Sequence, residues 1–311
     1  MASPRRVRIV ANLRSGQSAA RRREAAMASF ERSLTAAGLT VEVKPTDRPA
    51  HAVDLAASAA AAGITDVVAS GGDGTVREVV EGLLQSRLAA TSTGEPLPRL
   101  GIWPGGTSNV LAAYFGLPSE PEAAAGVVIA GKTAPLRPGL AEGDGLGGRP
   151  RVFLMMTGAG FDAQVISLTP PAIKRVAGEA TFWATGAAGL ATWRPSQFEV
   201  AADGHAHPAT FACVGRAPRY GGGFAVTPKA RPDQRSFQIC IVNTTSRLRL
   251  IDLLRRARGA GLAHDPPDVQ LLSAERVTMR GDGVPVQMDG DLAGRLPVSC
   301  RVAPWDLSVL C

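Results

Sequence analysis

Two short stretches combine the residue types that phosphate and proton chemistry needs. "VVASGGDGTVREVVEGLL" sets Gly71, Gly72, Asp73, Gly74 and Thr75 between a β-branched apolar run and Val76, Val79, Val80, Leu83 and Leu84, which recur at helical spacing. Glycine inside a strand or helix lowers stability, so the cluster marks a place where a Cβ would obstruct something. A strand, a glycine turn and a helix in succession bare backbone N–H groups at a helix N-terminus, which is a site for an anion. "VQMDGDLAG" places Asp289 and Asp291 on either side of Gly290. On a strand such alternate residues share a face, and two carboxylates held together call for a cation or a shared proton. The same residues also read as an Asp-Gly hairpin turn in solvent, and the residues alone leave both readings open.

The elements that must position these groups follow from periodicity. Residues 7–11 read as a strand, followed by the polar turn "NLRSGQSA", a basic amphipathic helix over 19–37 and a second strand in "LTVEVKPT". An Ala-rich helix over 52–62 precedes the strand that meets the first glycine cluster. "RLGIWPGGTSNVLAAYFGLP" repeats the theme, with a strand over 100–103, a turn at Pro104, Gly105, Gly106 and Thr107, and a helix from Ser108. Alternating strands and helices imply a mostly parallel sheet with helices on both faces, whose ligands sit at the carboxyl ends of the strands. "GVVIAGKT" fits a P-loop pattern, but a helix over 122–130 runs into it and Pro135 and Pro138 follow, so Gly131 reads as a helix C-cap.

Beyond Arg137 the character changes. "PGLAEGDGLGGRPR" reads as a hairpin loop. Strand candidates then follow at 151–156, 197–202, 209–214, 237–242, 269–272, 276–280, 284–288 and 296–301, interrupted by helices over 171–193 and 247–259. Frequent short strands with turn signals suggest a β-sandwich or barrel. The expected division is 1–137 plus 304–311 as an α/β lobe and 138–303 as a β-sandwich lobe, with a nucleotide cleft between them.

The chain has 311 residues, a net charge of +7 and 45% hydrophobic residues. The charge favours an anionic partner or simply a solvated basic surface. Four cysteines without a CxxC pair fit a reduced, cytoplasmic protein. The four histidines lack metal spacing. No apolar run is long enough to span a membrane.

The two glycine turns, in series with "ANLRSG", "GAGFDAQV", "KRVAGEATFW", "GGGFAVTPKARPD" and "VQMDGD", resemble the diacylglycerol kinase catalytic-domain family, the bacterial lipid kinases related to sphingosine and ceramide kinases. The resemblance covers nearly the whole chain. Departures from the family pattern are Leu13 for Pro, Arg77 for Asn, Asp291 for Glu, and "DQRSF" where Asp-Gly and an apolar pair are usual.

The resemblance implies an ATP- and Mg²⁺-dependent lipid kinase. It places Asn12, Ser15, Gly16, Thr46, Ser70, Gly71, Gly72, Asp73, Gly74, Thr75, Glu78, Gly105, Gly106 and Thr107 around ATP. Thr75 is expected to cap the helix after the turn, to donate to phosphate, or both. Asp73 beside phosphates implies Mg²⁺ or a proton between them; otherwise it stabilises the turn. One of Asp289 and Asp291 would act as general base on the lipid hydroxyl. Asp233 matches a family aspartate that holds a structural Mg²⁺. Phe161, Phe182 and Trp183 would line the lipid pocket, with core packing as the alternative. The implied acceptor is a diacylglycerol-like or sphingoid lipid at a membrane surface, met from the cytoplasmic side by peripheral association, with no nucleic-acid partner. The basic helix "RLRLIDLLRRARG" suits anionic lipid or a solvated face. The rivals are an NAD kinase, which shares Gly-Gly-Asp-Gly-Thr, and a binding relative that has lost turnover.

Overall fold

The computed structural model describes residues 5–13, 20–88, 96–168, 189–190, 193–220, 223–265 and 268–311. The chain divides into two compact units, Met1–Leu136 with Trp305–Cys311, and Arg137–Pro304.

The first unit is built on a six-stranded sheet. Strands β1 (Arg6–Ala11), β2 (Thr40–Pro45), β3 (Asp66–Gly71) and β4 (Arg99–Pro104) pair in parallel in the order β2-β1-β3-β4. The sheet is completed by β18 (Leu307–Leu310), parallel to β4, and β5 (Thr133–Leu136), antiparallel to β18. Helices α1 (Ala20–Ala36), α2 (His51–Ala57), α3 (Asp73–Leu83), α4 (Gln85–Leu88), α5 (Val110–Tyr114) and α6 (Pro121–Ala130) connect the strands. Val7, Ile9 and Ala11 on one face of β1 meet Met27, Phe30 and Leu34 of α1 and Ala124, Ala125 and Val128 of α6 in a single buried cluster, as strand alternation and helix periodicity require. Phe30 stacks on Trp103 with ring centroids 4.5 Å apart. At the amino ends of β3 and β4, Asp66 is fully buried and accepts from Arg5 Nε at 3.0 Å and Arg99 Nε at 2.6 Å. Arg5 also donates to the carbonyl of Val128 at 2.7 Å, tying the end of α6 to the sheet. Helix α6 ends on Gly131 at φ 66°, so the P-loop-like stretch is a helix C-terminus leading into β5.

The second unit contains two six-stranded antiparallel sheets. One comprises β6 (Gly139–Glu142), β7 (Arg151–Phe153), β9 (Phe198–Ala202), β10 (His205–Ala209), β14 (Arg276–Arg280) and β17 (Val298–Val302). The other comprises β8 (Met156–Gly160), β11 (Phe211–Gly215), β12 (Phe237–Val242), β13 (Val269–Ala274), β15 (Pro285–Met288) and β16 (Asp291–Arg295). Their inner faces share one apolar cluster that includes Phe153, Val200, Val214, Phe237, Ile239, Met279 and Val286. Helix α7 (Phe161–Leu168) follows β8, and α8 (Arg247–Arg258) follows β12. Among the described residues no helix is long and apolar enough to cross a membrane.

The α/β sheet and the antiparallel sandwich follow the sequence pattern, whereas the stretch 138–151, expected as a hairpin loop, begins with strand β6, which pairs with β7 and β17. Two strand expectations change. The run 151–156 divides into β7 and β8, because the amides of Leu154, Met155 and Met156 turn onto the Asp289 carboxylate instead of continuing a ladder. The run 209–214 divides at Thr210, with β10 and β11 entering different sheets. Most of the helix expected over 171–193 lies outside the described residues.

Helices α2 and α3 approach closely at Gly82, where an added Cβ would lie 2.2 Å from the Val53 carbonyl oxygen. Alanine in a helix interior ordinarily stabilises by about 1 kcal/mol relative to glycine; here overpacking outweighs it. Gly82→Ala is therefore expected to lower the urea unfolding free energy by about 1–3 kcal/mol.

Candidate active site

In the α/β unit the expected nucleotide residues collect at the carboxyl ends of β1, β2, β3 and β4. The order β2-β1-β3-β4 reverses direction between β1 and β3, and ligands of open α/β sheets bind outside such a switch point. Asn12 follows β1, and its backbone N–H donates to the Ser70 carbonyl at 2.9 Å across the gap. Its Nδ2 donates to Thr75 Oγ1 at 3.2 Å. Thr46, just past β2, returns its N–H to the Ala11 carbonyl at 2.9 Å. Asn12, Thr46, Ser70 and the two glycine turns thus lie along one edge. Ser15 and Gly16 lie outside the described residues.

The glycines serve distinct purposes. A Cβ on Gly71 would lie 2.5 Å from Thr75 Oγ1, so Gly71 makes room for that hydroxyl. A Cβ on Gly106 would lie 2.5 Å from Gly72 Cα, and one on Gly72 would lie 3.1 Å from Gly106 Cα. The two turns therefore pack backbone on backbone, and Gly105 N–H donates to the Gly71 carbonyl at 2.8 Å. Gly74 differs, because nothing lies within 4 Å of a Cβ built there and the residue is exposed.

Helix α3 is capped by Gly72 with no side-chain cap bond. Thr75 is not the cap: it sits inside the first turn, 7% exposed, with its N–H on the Gly72 carbonyl at 2.9 Å and its hydroxyl accepting from Asn12. Asp73 begins the helix and is half-buried, where a carboxylate is favoured by the helix dipole. Glu78 is engaged with α2: its carboxyl accepts from the backbone amides of Ala50 and Ala52, and burial raises its pKa against those bonds. Arg77 forms an i,i+4 pair with Glu81 at 3.4 Å. Thr107 is exposed on the second turn.

Asn109 is a site residue that the sequence pattern did not single out. At φ 45° its Oδ1 accepts from Gly106 N–H at 2.9 Å and its Nδ2 donates to the Gly106 carbonyl at 2.8 Å. It closes the second turn on itself and delays α5 to Val110 rather than Ser108. The available signal is an Asx-type residue before an apolar run.

In the β unit, Asp289 and Gly290 have φ of 47° and 84° between paired Met288 and Asp291. Positive φ at both central residues is the pattern of a two-residue type I′ hairpin loop. The two carboxylates have different surroundings. Asp289 accepts Leu154 N–H on Oδ2 at 2.8 Å, and Met155 and Met156 N–H on Oδ1 at 2.8 and 3.0 Å. Asp291 is exposed at the start of β16. Phe161 is 6% exposed, edge-on to Trp193 with centroids 6.1 Å apart; Phe182 and Trp183 lie outside the described residues.

The donor set at Asp233 does not fit the expected Mg²⁺. Its carboxylate is held by Arg231 Nε and Nη2 at 3.1 and 3.0 Å, and this fork holds its carboxyl below the usual carboxylate range. The neighbouring carbonyls face guanidinium groups. Arg216, 0% exposed, donates to Pro232, Gln234, Ser236 and Arg137 carbonyls at 2.8–2.9 Å, and Arg137 donates to that of Asp233. A buried guanidinium already fills the place of a cation, and a second would be repelled.

Comparison with known proteins decides the family. Residues 6–141 match the model of the diacylglycerol kinase catalytic domain, and residues 155–311 match that of the YegS C-terminal NAD kinase beta sandwich-like domain. A YegS-like lipid kinase of Chromohalobacter salexigens is 32% identical over 285 residues, covering 88% of this chain and 87% of that protein. The chain belongs to the diacylglycerol kinase catalytic-domain family. A family member named diacylglycerol kinase, from Mycobacterium tuberculosis, is 31% identical over 261 residues, covering 82% of this chain and 80% of that one. The fold is shared with a crystal structure from Bacillus anthracis described as that of a diacylglycerol kinase, with a TM-score of 0.72 at 20% identity over 100% of this chain and 98% of that one.

Two outcomes check this geometry. Gly106→Ala should force the turns apart, lowering the thermal midpoint. Asp233→Asn should leave the effect of Mg²⁺ on the thermal midpoint of the nucleotide-free protein unchanged, measured by differential scanning fluorimetry with EDTA as reference.

Proposed function

We propose that the protein transfers the γ-phosphate of ATP to a hydroxyl of a diacylglycerol-like or sphingoid lipid. The observation that carries this reading is the pair of interlocked glycine turns at the carboxyl ends of β3 and β4, the first of them beside the switch point, in a chain whose family is that of lipid kinases. Gly74 supports it: no neighbour in the described structure crowds its Cβ position, so an absent side chain there leaves room for a phosphate beside the start of α3, where the Gly72 cap brings no side chain.

Phosphoryl transfer asks chiefly for positioning and charge neutralisation, with help in removing the hydroxyl proton. The amides at the start of α3 would receive the phosphates, with Asn12 and Thr75 holding that turn against β1. Asp73 would hold Mg²⁺ there, which when bound neutralises the phosphate charge. The Asp289–Gly290–Asp291 turn supplies the carboxylate that takes the proton of the lipid hydroxyl as oxygen attacks phosphorus. Asp289 has an additional duty, since proton uptake would disturb its bonds to three amides. Peripheral contact with a membrane is part of this reading, because the acceptor resides there.

The test is transfer of labelled phosphate from ATP to a lipid panel, with NAD as a control acceptor. Labelled lipid and unlabelled NAD are expected; the reverse would support the NAD kinase reading. Substituting the base should lower kcat by about 10²–10⁴ with lipid binding retained. Asp289→Asn should also lower stability by about 1–3 kcal/mol, because an amide NH₂ cannot accept from the amides it would face. Asp291→Asn, at an exposed position, should lower stability less than Asp289→Asn does. The variant with the larger loss in kcat identifies the base. Gly74→Val is expected to raise the KM for ATP without lowering the thermal midpoint.

A further inference from the structure

Asp162 lies in the first turn of α7, directly after β8. The residue keeps some exposed surface, but its carboxyl is closely enclosed. A Cβ on Gly158 would lie 2.5 Å from Asp162 Oδ2 and 3.0 Å from Gln287 Nε2, so glycine at 158 makes room for both groups. Oδ1 accepts Ala163 N–H at 2.7 Å and Oδ2 accepts Gln287 Nε2 at 2.9 Å.

Gln287, on β15, is 1% exposed. A buried amide has a donor end and an acceptor end to satisfy. Its donor end meets Asp162, and its Oε1 accepts the backbone N–H of Gly290 at 2.9 Å. Rotating the amide by half a turn would set oxygen against carboxylate and NH₂ against N–H. An ionised Asp162 therefore fixes which way Gln287 faces, and Gln287 fixes the central peptide of the type I′ turn.

We infer that Asp162 is a positioning residue for the Asp289–Gly290–Asp291 turn, acting through Gln287 on the Gly290 amide. Its catalytic consequence rests on the proposed role of that turn; the hydrogen-bonded relay itself does not.

The surroundings make the relay sensitive to protons. Burial pushes the Asp162 carboxyl up to about 7, against the hydrogen bonds from Ala163 and Gln287 that lower it. Cys213 of β11 and Tyr220 feel its charge, and burial pushes both well above their ordinary values, so they stay neutral. Cys240 of β12, the ladder partner of Cys213, is pushed up to about 12. Strands β15 and β16 pack on α7; β15 adds no titratable side chain, whereas β16 brings Asp291 and Arg295. Strand β8, which also packs there, has none. Protonation of Asp162 removes its charge and lets the carboxyl donate as well as accept, so the Gln287 amide is no longer held to one orientation.

The same proton makes stability depend on pH. The carboxyl is at 3.8 ordinarily and about 7 when folded, so the folded state binds the proton more tightly and stability is lost as pH rises from about 4 to about 7. Asp162→Asn lacks that titration, so its thermal midpoint relative to the parent should improve between pH 5 and pH 8.

The deciding experiment is a pH titration of the Gly290 amide by ¹⁵N–¹H correlation spectroscopy on the full chain without ligand. The parent should show a transition centred near pH 7, absent from both Asp162→Asn and Gln287→Leu. In phosphate transfer to lipid, both variants should lose about tenfold in kcat, the effect of about one hydrogen bond, with the KM for ATP unchanged. A Gly290 transition that persists in Asp162→Asn, or is missing from the parent, overturns the relay. If Asp162→Asn does not fold, a transition that persists in Gln287→Leu overturns it equally. A parent that titrates at Gly290 through Asp162 but labels no lipid keeps the relay and removes the lipid kinase reading.

Discussion

The contact between Gly72 and Gly106 is the constraint on which the α/β unit's functional edge depends. Two backbone segments approach until a Cβ is excluded at Gly106 and crowded at Gly72. Everything nearby is arranged to allow it. Gly71 clears space for Thr75, Thr75 receives Asn12 from the neighbouring strand, and Asn109 folds the second turn onto itself. This close approach lies at the carboxyl ends of the neighbouring strands β3 and β4, beside the point where the strand order reverses between β1 and β3.

The far end of the same sheet has the opposite character. There Asp66 is sealed between Arg5 and Arg99, with Arg5 reaching the last carbonyls of α6. Removing one partner from a buried ion pair leaves an uncompensated charge, which is strongly destabilising. The sheet therefore has one end fixed by paired charges and the other left to bare backbone polarity.

The β unit uses charge in a similar way. Asp289 gathers the amides that interrupt the strand between β7 and β8, so a single carboxylate both breaks a ladder and anchors a hairpin. Arg216 gathers the carbonyls of residues 232–236 and lies over the Phe237 ring, 5.5 Å from its centroid. Each buried charge is matched by several backbone dipoles, which is how an interior accommodates charge. In this chain guanidinium groups occupy the Asp233 carboxylate and the carbonyls beside it.

The sequence by itself determined the fold class, the two glycine turns and the family. Those depend on local order: β-branched runs before glycine, helical spacing after it, and blocks that recur in series. It also placed α6 and its Gly131 end correctly, because proline after a helix cannot continue it. Only the tertiary structure decided what each polar side chain does. Thr75 belongs to Asn12 rather than to a cap, Glu78 belongs to the start of α2, and Asp289 belongs to a loop more than a hundred residues away. Spacing along the chain shows which residues can share a face. A hydrogen bond between distant segments also depends on register and on which backbone groups the sheets leave unpaired, and those are fixed only when the whole unit has packed.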